Sequence, residues 1–142
     1  MKYDLVAAGL AGLIGTLTVS STAFAGKEER DYMKNEVMPA VKDAEAKFKS
    51  SCGCALSITV DETTVKSKDD MYSVKHIAGY VADGVGSYCT DAASKKAVCQ
   101  MKSLLLAKAK EATFTFKGGK GTATTDGQSS CSWEMMTREL DK

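Results

Sequence analysis

Residues 112–135 read ATFTFKGGKGTATTDGQSSCSWEM, and the fold turns on how this stretch is taken. Ala112, Phe114 and Phe116 alternate with Thr113, Thr115 and Lys117, the period of two that sends every second side chain to one face of a strand. Gly118-Gly119-Lys120-Gly121 breaks the alternation with residues suited to a tight hairpin turn, and a strand around Thr122 to Thr125 follows. Asp126-Gly127 marks another turn, after which Cys131, Trp133 and Met135 alternate again and predict a last strand. Phe116 to Thr122 has a superficial likeness to a phosphate loop. Gly121, however, separates Lys120 from Thr122, and strand patterns stand on both sides where a phosphate loop would open a helix.

Upstream, Thr90 or Asp91 can cap a helix carried by Ala97, Val98, Met101, Leu104 and Leu105, with the apolar stripe ending near Lys108. A longer stripe of Met71, Val74, Ile77, Ala78, Val81, Val85 and Tyr88 marks another helix, with Asp69 or Asp70 at its start. Ala78, Ala82 and Gly86 form a small-residue ridge on it, which either admits a close neighbour or marks a helix fraying near Gly84 and Gly86. Cys54, Leu56, Ile58 and Val60 have strand period. Met33, Val37, Val41, Ala44 and Phe48 recur at helical spacing, interrupted by Pro39, the only proline, which demands a kink or a fresh start near Met38. The resulting order, α-β-α-α-β-β-β, predicts an α+β fold with three helices packed on one face of a small antiparallel sheet.

The N-terminus carries the features of a secretory leader. An uncharged run from Leu5 to Leu17 follows Lys2, and Ala23-Phe24-Ala25 supplies small residues for cleavage. The run is too short for a membrane span, which needs about 20 residues. Residues 1–25 are thus expected to be a signal peptide, and residues 26–142 a single globular domain in the periplasm or outside the cell, with no stable membrane anchor after cleavage. Net charge is close to neutral (+1 over the full chain), and acidic and basic residues alternate rather than cluster. That balance argues against a nucleic-acid binder or a polybasic membrane binder.

All five cysteines, Cys52, Cys54, Cys89, Cys99 and Cys131, fall after the leader. In an oxidising compartment most should pair, and an odd number leaves one thiol over. If Cys52 and Cys54 bonded each other across Gly53, the small strained ring would be an exchangeable redox centre. Ordinary bridge geometry favours the alternative, in which they bond distant partners. Strand phase suggests Cys54 with Cys131; Cys89 with Cys99 would then clamp the turn between the second and third helices, leaving Cys52 unpaired.

Catalytic signatures are scarce. His76 is the only histidine, so zinc-hydrolase motifs cannot be built, and Gly-x-Ser-x-Gly does not occur. Cys-x-x-Cys-His is absent too, and no metal or cofactor is expected. Tyr72, His76 and Tyr80 follow each other at one-turn intervals with Asp83 beyond, a polar-aromatic helix edge that is either a binding edge or an ordinary boundary between core and solvent. The sequence therefore points to an exported, disulfide-bearing, non-enzymatic binding protein of inhibitor or accessory type, whose partner is another exported or envelope protein. The competing expectation is a thiol-disulfide redox protein centred on Cys52 and Cys54.

Overall fold

The computed structural model describes residues 26–142; the leader and cleavage site assigned to residues 1–25 lie outside the described residues. The elements are α1 (Lys27–Tyr32), a π-helical turn (Met33–Val37), α2 (Met38–Cys52), β1 (Ser57–Val60), α3 (Lys68–Tyr88), α4 (Ala92–Val98), β2 (Ser103–Lys108), β3 (Phe114–Lys117), β4 (Lys120–Thr125) and α5 (Trp133–Leu140). The π turn resolves the problem set by Pro39. Its ring cannot follow a regular turn, so the helix widens just before it, Met38 N–H bonding five residues back to the Met33 carbonyl, and α2 restarts with the proline in its first turn.

The four strands form one mixed sheet in the order β1-β2-β4-β3. β1, β2 and β4 run parallel, and only β3 is antiparallel, at the edge beside β4. The expected all-antiparallel meander is therefore corrected in two places. Leu104 and Leu105, assigned to a helix from their spacing with Ala97 and Met101, lie in the inner strand β2, because α4 stops at Val98. An unbroken apolar run such as Leu104-Leu105-Leu106-Ala107 is what an inner strand of a parallel sheet requires. The expected last strand is instead the helix α5, whose N-cap Ser132 accepts a hydrogen bond from Met135 N–H and whose Met136 and Leu140 are buried one turn apart. The long connection through α3 and α4 makes the parallel β1–β2 pairing possible.

Register places Ile58, Leu104, Gly121 and Phe116 in one row and Val60, Leu106, Ala123 and Phe114 in the next, all toward the helices. Phe48, Met71, Ile77, Met101, Leu104, Leu106 and Met136 are fully buried in the single hydrophobic cluster between sheet and helices. The opposite rows, Ser57–Ser103–Lys120–Lys117 and Thr59–Leu105–Thr122–Thr115, remain wholly or partly open to solvent. All six methionines of the described chain lie in or against the core, where packing accounts for them.

Helix α3 runs unbroken through its glycines. The close approach occurs at Gly84 rather than along the ridge ending at Gly86, and what approaches is a ring: a Cβ on Gly84 would sit 2.4 Å from the Trp133 indole. Trp133 also meets Tyr88 edge-on, centroids 5.8 Å apart, locking α5 to the end of α3.

Both expected disulfide pairings are corrected. Cys52 bonds Cys89 and Cys54 bonds Cys99, while Cys131 is the free, buried thiol. Cys131 does not lie on a strand facing Cys54, so the strand-phase argument for that pair fails. Instead Gly53 ends α2 in the left-handed region, φ 81°, and turns the chain so that its two flanking cysteines reach the end of α3 and the end of α4 separately. The bridges span 37 and 45 residues, and each should contribute about 4 kcal/mol by restricting the unfolded chain.

Two outcomes check this arrangement. Non-reducing peptide mapping should recover Cys52–Cys89 and Cys54–Cys99 cross-links, with one alkylatable thiol appearing only after unfolding. Gly84→Ala should lower the urea-measured unfolding free energy by about 1–3 kcal/mol through overpacking against the indole.

Candidate functional site

Helix α3 buries Met71, Val74, Ile77, Ala78, Val81 and Val85 and turns Tyr72, His76, Tyr80 and Asp83 outward. Tyr72 and Tyr80, 53% and 39% exposed, are the only large hydrophobic side chains so exposed among the described residues. His76 lies between them: its ring centroid is 4.3 Å from that of Tyr72 and 6.2 Å from that of Tyr80. The spacing of four residues makes this ladder, since one turn separates successive rings. Gly79, on the same outer side, has nothing within 4 Å of the place a Cβ would take, nor has Gly86. The stripe thus has aromatic ribs with flat, empty backbone beside and beyond them. Asp83 is exposed past Tyr80.

The ladder's flank is held by Lys75, whose ammonium bonds the Glu36 carboxylate at 2.7 Å across to the π turn. That hydrogen bond keeps the Lys75 ammonium above its ordinary range, with Tyr32 and Tyr72 close enough to contribute. A shallow cleft of about 270 Å³ opens on this side between the first helical turns and α3, lined by Glu28, Asp31, Tyr32, Asn35, Glu36 and Lys68. Lys68 sits 5.9 Å above the Tyr32 ring.

Cys52 and Cys54, the candidate redox pair, are brought close in space but not bonded to each other; each belongs to a long-range bridge. Cys131 is enclosed, and burial pushes its thiol from 9.0 up to about 12. A thiol that is hard to ionise and inaccessible is a poor nucleophile. No group of three or more His, Cys, Asp or Glu side chains able to hold a metal occurs among the described residues.

One polar cluster was not foreseen. At the C-terminal ends of β2 and β4, where open parallel sheets commonly bind ligands, buried Asp70 pairs with Lys108 at 3.1 Å. Around it Ser73 Oγ–H donates to the Gly127 carbonyl (3.4 Å), Ser130 Oγ–H to the Ser73 carbonyl (3.3 Å) and Thr125 Oγ1–H to the Ser129 carbonyl (2.6 Å). These groups satisfy one another, so the cluster is a joint pinning the 126–130 turn to α3. Ser67, not Asp69 or Asp70, caps α3, its hydroxyl accepting from Asp70 N–H at 3.1 Å. The Ser67-x-x-Asp70 spacing was the signal that could have placed Asp70 in the first turn.

Comparisons with protein-family models, curated proteins and solved structures find no match to this chain.

The buried thiol gives alkaline pH a defined effect. Cys131 is held neutral in the folded state but ionises near pH 9 once unfolded, so its contribution is complete below pH 9 and falls as pH rises from there toward about 12. Tyr88, raised to about 12 mainly by burial and by its hydrogen bond to Asp141, adds a similar loss only from pH 10 upward. Urea unfolding between pH 8 and pH 10 should show a declining stability that is flatter in Cys131→Ala.

Proposed function

We propose that the chain is an exported, non-enzymatic interaction protein of the bacterial periplasm or exterior, of inhibitor or accessory type, that docks another exported or envelope protein through the Tyr72–His76–Tyr80 stripe. The observation that carries this reading is the ladder itself. Among the described residues the fold buries or half-buries its other large apolar side chains yet leaves two tyrosines, packed about a histidine, in solvent along its longest helix. Tyrosine combines a large apolar face with a hydrogen-bonding tip and loses little rotamer entropy, which is why it recurs at interface hot spots.

Support for export comes from the leader features and from cysteine use. Four of the five cysteines stand in cross-links that persist only in an oxidising compartment. No described helix is long and apolar enough to cross a membrane. The redox alternative loses its motivation, because it required Cys52 and Cys54 to bond each other.

Photocrosslinking tests the docking face. A photoreactive phenylalanine at position 72 or 80 should give one dominant adduct with an envelope protein, and the same probe at exposed Lys47 should give none. Tyr72→Ala with Tyr80→Ala should weaken that partner's affinity by about thirtyfold or more, the scale of a hot-spot loss, while the Phe versions retain most of it. Equal labelling from position 47, or full affinity in the double alanine variant, would refute the assignment.

A further inference from the structure

The sheet face turned away from the helices has a chemistry of its own. It presents two rows of side chains, Ser57–Ser103–Lys120–Lys117 and Thr59–Leu105–Thr122–Thr115. Every member is exposed or half-exposed. Hydroxyls dominate, and Leu105 is the lone apolar side chain at the centre. Neighbours within a row lie about 4.8 Å apart from strand to strand, and the two rows about 6.6 Å apart along the strands, a regular lattice of donors and acceptors.

Positive charge gathers at one end of this lattice. Lys117 and Lys120 are direct partners across the Gly118-Gly119 turn. Like charges placed opposite each other on one face destabilise a strand pair. Lys102 stands at the edge of the same end, one residue before β2 and out of phase with Ser103: its N–H donates to the Gly119 carbonyl at 2.7 Å, and its side-chain stem lies 3.5 Å from the place a Cβ on Gly119 would occupy. None of the three takes part in an ion pair among the described residues. Lys117 and Lys120, uncompensated at the end of the Ser and Thr rows, with Lys102 at the edge of the same hairpin, call for an anionic ligand rich in hydroxyls.

We infer that this face binds an anionic polysaccharide, whose acidic groups meet Lys102, Lys117 and Lys120 and whose hydroxyls meet the Ser and Thr rows. Nucleic acid fits less well: Phe114 and Phe116 point to the helix side, and Tyr72 and Tyr80 stand outward on the helix layer. The open face therefore offers no ring on which bases could stack. A protein partner would want aromatic or arginine anchors, which these rows also lack.

The test uses the exported protein with its bridges intact. Binding is measured to immobilised polygalacturonate, with neutral dextran, single-stranded DNA and anionic lipid vesicles as comparison probes. Polygalacturonate should bind at low salt, weaken as salt is added, and bind better than every comparison probe. Replacing all three lysines, K102Q/K117Q/K120Q, should cost about tenfold in affinity, the product of three exposed contacts at roughly twofold to threefold each. The control K95Q/K96Q, which removes the same kind of charge from α4, should bind as the parent does. The triple variant should also keep or slightly raise its thermal midpoint, because the Lys117–Lys120 repulsion is gone; this separates lost binding from lost folding. The inference is overturned by no binding to polygalacturonate, by equal or tighter binding to dextran, DNA or vesicles, or by a folded triple variant with unchanged affinity.

Discussion

Two covalent ties leave one turn of three residues, and the rest of the structure is arranged around them. Cys52 and Cys54 flank a left-handed glycine and reach the ends of α3 and α4, so three helices meet at one locked corner. The Cα atoms joined are 5.2 and 6.0 Å apart, well within ordinary bridge geometry. Helices held in this way need not rely on extensive contact with each other alone. A modest sheet, uncovered on its second face, is then enough to complete the core. Parallel strands are usually sheathed on both sides; here the cross-links help to make a single helical layer sufficient.

That economy shapes the surface. With every helix on one side, the molecule presents two unlike exteriors: an aromatic ladder on α3, and across the molecule a plane of hydroxyls with lysines at its hairpin end. Since α3 packs on α2, β2 and β4, its outward tyrosines stand on one of the most firmly held elements of the fold. The two surfaces differ in chemistry, polar-aromatic against cationic and hydroxyl-rich, so the two proposed ligands would not compete for one surface.

Legibility in the sequence followed the length of each pattern. α3 was readable because its apolar stripe persists over 21 residues, and the outward ladder of Tyr72, His76 and Tyr80 follows from the same period. β1 and the Gly118-Gly119 hairpin were readable from alternation and turn chemistry. β2 was not, because Leu104 and Leu105 also satisfy a helical phase begun at Ala97, and only the early end of α4 decides between them. Cys131, Trp133 and Met135 gave too few positions to separate a strand from the first turn of α5. Cysteine pairing depends on where whole elements come to rest, which spacing does not encode. The lysine corner needs the strand order, with β4 inserted between β2 and β3, before its charges and hydroxyls share a face.

The chain has one tryptophan, and its position gives the molecule a built-in optical reporter. The Trp133 indole is laid on the bare backbone of Gly84 with the Tyr88 ring at its edge. Its emission accordingly senses the seating of the C-terminal helix rather than the general collapse of the chain. Fluorescence and far-ultraviolet dichroism followed together would thus separate the closing of that last segment from the formation of the cross-linked helical layer.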